Sequence, residues 1–153
     1  MSIPLDLARY VVVAACVGLA ASAGASYGVT PEMPVPNADA EVAAQALDAG
    51  DWQRAADNFQ AALRAEPDNA TFHAALGYAY RKLGDLPRSL QHLRRALAID
   101  ATLRAAHASI GETYLALRDP TRAREHLAAL ERLCGGRTCA EFVELERAIA
   151  AAR

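Results

Sequence analysis

Cysteine and histidine are the residue types here best suited to chemistry, and their spacing limits what they can do. Cys134 and Cys139 flank a Gly-Gly-Arg-Thr turn in "LCGGRTC", while Cys16 lies far away in an apolar segment. A C-x4-C pair suits a metal site, a redox centre, a reactive thiol or a structural disulfide. The histidines follow a different pattern. His73 and His107 are 34 residues apart, and so are His92 and His126. One constant interval marks equivalent places in a repeat, so these read as framework or surface histidines rather than a converging ligand set. No Cys-x2-Cys or His-x3-His spacing offers zinc a site, and neither a metal nor a cofactor is expected. The nucleophile elbow G-x-S-x-G and the glycine-rich phosphate loop are both missing from the sequence. Most carboxylates stand beside arginines and read as solvated pairs of little energetic weight. No catalytic constellation remains, so the chain reads as a non-enzyme without a small-molecule substrate.

The elements that must position these residues read as helices. Hydrophobic residues make up 53% of the 153-residue chain but aromatics only 6%, so alanine carries much of the apolar fraction. Alanine favours helices that pack closely, whereas strands want β-branched and aromatic residues. Sixteen basic and 18 acidic residues are spread along the chain. They form no basic stripe, which excludes nucleic acid as a partner class.

The N-terminus stands apart. "YVVVAACVGLAASAGASYGVTP", residues 10 to 31, carries no charge; Arg9 precedes it, and Glu32, Asp39 and Glu41 follow. That asymmetry places the N-terminus in the cytoplasm and the body outside it. Residues 1–25 are expected to be a single-pass anchor in an inner membrane, since about 20 apolar residues span a bilayer. Small residues at Gly18, Ala20, Ser22, Gly24 and Gly28 would let another membrane helix approach closely. The alternative is a signal peptide cleaved at Ala25, because Ala23-Gly24-Ala25 is a good A-x-A site. A lipid-modified Cys16 is a further option, since Val13-Ala14-Ala15 before it resembles a lipobox. Residues 26–38, with Pro31, Pro34 and Pro36, read as a semi-rigid linker.

Beyond the linker the chain repeats itself. "GDWQRAADNFQAAL" from Gly50 aligns with "GDLPRSLQHLRRAL" from Gly84 and "RDPTRAREHLAALE" from Arg118, each 34 residues on. Within one unit, Phe72, Ala75, Leu76, Ala79, Tyr80 and Leu83 mark one helical face. A Gly-Asp pair then breaks the helix, and Asp51, Asp85 and Asp119 are expected to cap the helices that follow. Pro120 suits the first helical position. Gly77 and Gly111 fall in mid-helix, where glycine costs up to about 1 kcal/mol. Close approach of a neighbouring helix is the reason expected for them. Thr138 and Glu141, at capping-box spacing, are expected to start a last helix with Phe142, Leu145 and Ile149 on one face.

A helix-turn-helix unit of this length, with small residues at fixed places, resembles the tetratricopeptide repeat. The family pattern falls on Leu76, Gly77, Tyr80, Ser89, Leu93 and Ala96 in the middle unit. It falls on Ile110, Gly111, Tyr114, Ala123 and Leu127 in the third. The first unit keeps Ala55, Phe59, Ala62 and Pro67 but has Val42, Ala43 and Ala46 in its first helix, which fits a terminal unit. The resemblance implies an all-α solenoid of antiparallel helix pairs: repeats at 39–69, 70–103 and 104–137, with a capping helix at 138–153.

It also implies where to look for function. The first helix of each pair would line a concave groove: Ala40, Ala44 and Leu47, then Thr71, Ala74, Tyr78, Arg81 and Lys82, then Ala105, Ala108, Glu112 and Leu115. Tyr78 and Arg81 stand out there, because Tyr and Arg are enriched among binding hot spots. Chaperone-binding members of the family clamp a terminal carboxylate with Lys, Asn and Arg. The corresponding positions here hold Ala40, Ala44, Ala75, Ala105 and Ser109, which argues against that role. The expectation is a non-catalytic protein-binding module on the periplasmic face, an accessory or assembly subunit of an integral membrane complex. The alternative is a soluble periplasmic chaperone or assembly factor. Outside the cytoplasm two nearby thiols would pair. A Cys134–Cys139 disulfide is therefore expected to pin the capping helix, at roughly 2 to 3 kcal/mol.

Overall fold

The computed structural model describes residues 37–152, and they form seven helices and no strand among them: α1 (Ala38–Asp48), α2 (Trp52–Ala65), α3 (Ala70–Lys82), α4 (Leu86–Ile99), α5 (Arg104–Ala116), α6 (Pro120–Leu133) and α7 (Ala140–Ala151). The expected anchor or signal segment, with Gly18, Ala20, Ser22, Gly24 and Gly28, lies outside the described residues, as do Cys16 and the linker up to residue 36. Among the described residues no helix is long and apolar enough to cross a membrane.

The chain folds as three successive hairpins, α1–α2, α3–α4 and α5–α6, each packed on the next, with α7 laid against α5 and α6. One device makes each hairpin turn. Gly50, Gly84 and Arg118 take left-handed backbone angles (φ 73°, 82° and 61°). The aspartate that follows works at both ends. Its backbone N–H reaches back to the helix just finished, from Asp51 to Ala46 O, Asp85 to Tyr80 O and Asp119 to Tyr114 O, at 2.8–2.9 Å. Its carboxylate then accepts from the third residue on, Arg54, Arg88 or Arg122, at 3.0–3.2 Å. Orphan carbonyls of one helix and orphan amides of the next are thus satisfied within two residues. The intervals α2–α3 and, before α1, residue 37 use asparagine instead. Asn37 and Asn69 cap α1 and α3 and both donate to Glu66. Those two bonds, Asn37's first, hold the Glu66 carboxyl below its ordinary range.

Burial falls on the repeat positions. Ala55, Ser89 and Ala123 are fully buried, as are Leu76, Leu93, Ile110 and Leu130. Alanines let the helices come close, and close approach accounts for the glycines. A Cβ on Gly77 would meet Leu93 Cγ at 2.5 Å and the Ser89 carbonyl oxygen at 3.1 Å; one on Gly111 would meet Leu145 Cδ2 at 2.5 Å. Gly77 is therefore crowded by the second helix of its own hairpin, while the nearest neighbour of Gly111 is on α7. Phe142, Leu145 and Ile149 of α7 are buried and complete the core begun by Leu93, Ala106, Ile110 and Tyr114. Ser89 on α4 and Thr113 on α5 meet inside the stack, Oγ to Oγ1 at 3.2 Å. The Thr113 hydroxyl also donates to Ser109 O at 2.6 Å.

The start of α7 differs from the capping box expected of Thr138 and Glu141. Cys139, not Thr138, is the N-cap, and it makes no side-chain cap bond. Cys139 is tied to Cys134 at the end of α6 by a disulfide, with Cα atoms 6.0 Å apart. That bond fixes where the chain can turn into α7, and Thr138 is left exposed just before it. Glu141 pairs with Arg104 of α5 at 3.6 Å instead.

Candidate binding groove

The first helices of the hairpins line a cleft of about 200 Å³, formed by Leu47 of α1, Thr71, Ala74, Ala75 and Tyr78 of α3, and Leu103, Ala105 and Ser109 at the start of α5. The helical repeat explains the set. Residues 71, 74, 75 and 78 recur at three and four and so share one stripe. Ala74 is the buried floor, Tyr78 and Ala75 are half-buried walls, and Thr71 and Ala105 form the exposed rim. Thr71, Ala74, Tyr78 and Ala105 are thus brought together, with Leu47 from the first hairpin. Ala108 and Leu115 lie outside the cleft and pack against the core. Leu115 also borders a separate hollow with Arg118, Pro120 and Ala152. Leu103 belongs to the cleft although it precedes the helix; only its apolar type next to the repeat start signals it.

Charge is gathered at the Tyr78 end. Arg81 lies over the Tyr78 ring, 5.0 Å from its centroid, and forms an ion pair across to Glu112 of α5. Its Nε is buried without an acceptor among the described residues. Lys82 is exposed and lies over both Trp52 (5.5 Å) and Tyr78 (5.3 Å). Trp52 meets Tyr78 edge to face at 5.9 Å. Trp52 is a site residue that the repeat pattern does not reveal, because its partners come from the next hairpin. The cluster offers an aromatic edge and a cation whose ammonium makes no ion pair among the described residues.

The histidines form pairs that the 34-residue interval conceals. His73 of α3 faces His92 of α4, Nδ1 to Nδ1 at 3.2 Å, and His107 of α5 faces His126 of α6 at 3.1 Å. The first pair is 24° from coplanar with centroids 5.4 Å apart. That separation is close to the longest a 3.2 Å contact permits, so the nitrogens meet head-on. Each outer ring is anchored: His73 Nε2–H donates to Pro67 O at 3.0 Å and His107 Nε2–H to Ala101 O at 3.2 Å. A carbonyl only accepts, so the anchoring nitrogen carries the proton. Nδ1 of His73 and of His107 is then a lone pair that accepts from Nδ1–H of His92 and His126. Tyr80 and Tyr114 lie near-parallel to His92 and His126, at 5.6 and 6.0 Å. Burial first, then His73 and Arg88, lower the His92 pKa. Burial, then His107 and Arg94, push His126 down to about 4.

Cys134, Cys139 and Glu141 are the group of potential metal donors that comes together among the described residues, and the disulfide already occupies both sulfurs.

Residues 43–103, which contain most of the first two hairpins, match the model of the tetratricopeptide repeat. Over these residues the chain is similar to the tetratricopeptide repeat family. Solved structures carry the likeness through the third hairpin. An Arabidopsis OM64 tetratricopeptide domain superposes with a TM-score of 0.68 at 17% identity, covering 75% of this chain and 93% of that one. The yeast Sti1 TPR2B domain, in its pHsp70 complex, gives 0.67 at 18% identity over 75% and 95%. The first such domain of Spaghetti (RPAP3), bound to the HSP90 peptide SRMEEVD, gives 0.67 at 19% identity over 74% and 89%. At these identities the likeness is one of fold. No curated protein matches the chain.

Proposed function

We propose that the chain is a non-catalytic protein-interaction module whose tetratricopeptide groove holds a segment of a partner protein. One observation carries this reading: the cleft from Leu47 to Ser109 is lined by small and apolar side chains and crosses two hairpin boundaries. It suits aliphatic or small side chains of an extended segment, which gain about 25 cal/mol for each Å² of apolar surface they bury. The yeast and Spaghetti domains were solved with a chaperone or its peptide, which supports a peptide as the kind of ligand. Their chaperone tails do not transfer, since Ala75, Ala105 and Ser109 supply no cation where a carboxylate clamp would stand.

The proposed setting is the exported face of an inner membrane, with the chain as an accessory or assembly subunit of a membrane complex. The uncharged run at 10–31 supports this, and so does a disulfide, which persists in oxidising compartments. The test is detergent extraction of the full-length protein from native membranes, followed by cross-linking and identification of what co-purifies. Tyr78→Ala and Ala105→Glu variants with unchanged melting temperatures should lose that partner. Retention of the same partner by both variants overturns the groove reading. A mature N-terminus at Ser26 overturns the anchor and leaves the soluble periplasmic factor.

A further inference from the structure

We propose that the His73–His92 and His107–His126 pairs are acid-operated latches, which hold the second and third hairpins closed only while each pair carries no more than one extra proton.

The argument is one of proton counting. In each closed pair, one proton lies between the two Nδ1 atoms and one anchors the outer ring to a carbonyl. Nε2 of His92 and of His126 is the one basic nitrogen left in its pair. A first added proton enters there and leaves the Nδ1–H···Nδ1 bond in place. A second has only Nδ1 of His73 or His107 to bind. It would set two N–H donors against each other at about 3.2 Å, where a hydrogen bond needs a donor and an acceptor. The second proton therefore opens the pair.

The surroundings add to this. The hollow around the first pair contains Arg64 of α2, Arg88 of α4 and the Tyr80 hydroxyl, with no carboxylate among its lining residues. Arg88 instead engages Asp85, the N-cap of its own helix. The Tyr80 hydroxyl accepts from Gln60 and Arg88. Around the second pair, Arg94 of α4 donates to the Tyr114 hydroxyl at 2.9 Å, and Arg122 of α6 lies over the Tyr114 ring. Cations face both pairs and disfavour the imidazoliums of the acid form. Each pair joins the helix that lines the groove, α3 or α5, to the helix behind it, α4 or α6. Opening either latch frees the groove wall from its backing.

Unfolded, the four histidines bind four protons below about pH 6.5. Closed, the two pairs accept at most two. Each excluded proton lowers the folding equilibrium constant about tenfold per pH unit, so the two together approach a hundredfold per pH unit in mild acid. The experiment is potentiometric titration of the folded full-length protein from pH 7 to 5, with circular dichroism on the same samples. Nitrogen NMR of the histidines at pH 7 accompanies it. Expected are an uptake by histidine of two protons or fewer while the fold is intact, and one Nδ1–H and one Nε2–H tautomer in each pair. The amide of a His92→Gln, His126→Gln variant donates N–H to a neutral outer ring and, turned over, accepts from a protonated one, so the variant should flatten the acid dependence of the melting temperature. Uptake of about four protons with spectrum and melting temperature unchanged overturns the latch. So does an unaltered acid profile in the folded double variant. If that variant does not fold, the wild-type proton count decides alone.

Discussion

The hairpins α3–α4 and α5–α6 put the same residues in the same places, yet they are held together differently. Gly77 and Gly111, Tyr80 and Tyr114, Asp85 and Asp119 and both histidine pairs correspond one to one. Gly77 is pressed by Leu93 and by the Ser89 backbone of its own second helix; Gly111 is pressed by Leu145 of α7. The second hairpin turns on a glycine, the third on an arginine at φ 61°. The second hairpin is flanked by a repeat on each side, whereas the third ends the stack and takes its support from α7 and a disulfide. In a solenoid each unit contacts only its neighbours, so the same local pattern has different energetics at the end of the stack.

The largest contrast is expected from the glycines. Gly77→Ala should cost about 2 kcal/mol, since overpacking costs 1 to 3 and the gain in helix propensity returns up to about 1. Gly111→Ala should cost less, because its nearest contacts are the flexible end of Leu145 while Gly77 also meets a backbone oxygen. Urea unfolding of the two variants measures the difference, and equal costs would remove the distinction between the hairpins. Next comes the disulfide. The Cys134→Ser, Cys139→Ser variant should lose about 2 kcal/mol. Hydrogen exchange should rise in α7 and α5 and stay unchanged in α2 and α3; a uniform rise would show that the end of the stack is not separately held.

A smaller contrast is expected with pH. A histidine whose folded pKa is depressed favours the neutral form, so its contribution is present above the unfolded value and is lost as pH falls below it. For His126 the window runs from 6.5 down to about 4; His92 shifts in the same direction. Stability should therefore fall between pH 6.5 and 4, and His126→Gln should relieve more of the fall than His92→Gln, as read by melting temperature. The smallest effect concerns the turns. Gly84→Ala should destabilise by about 1 kcal/mol through its φ alone, since nothing lies within 4 Å of an added Cβ. Arg118→Gly should gain up to a similar amount, and chemical denaturation resolves both.

Much of the fold is legible in the sequence because repeat spacing and helical period are local quantities. The 34-residue offset locates the hairpins, and the Asp after each turn residue marks the caps. The capping asparagines 37 and 69 carry the same type of signal, a short polar side chain before an alanine-rich run. Three features are not local and escape. The histidine pairs join residues 19 apart on two helices whose rotation no linear pattern gives. Trp52 and Lys82 meet only through the stacking of one hairpin on the next. Cys139 displaces Thr138 as the cap of α7 because a covalent bond to α6, not capping propensity, decides where that helix begins. The groove stripe on α3 follows from helical period, but its partners Leu103 and Ser109 depend on how α5 packs beside it.

The hydroxyl contact between Ser89 and Thr113 has a consequence for assembly fidelity. Three units this alike can mis-stack, one hairpin taking the seat of another. Repeat positions equivalent to these hold Ala55 and Ala79, which carry no hydroxyl. With the third hairpin in the second's seat, Thr113 would face the methyl group of Ala55 and Ser89 would lose its hydroxyl partner, and a buried hydroxyl without its partner costs about 1 to 3 kcal/mol. The pair therefore works as an address, written in two oxygen atoms, that tells the second repeat which neighbour is its own.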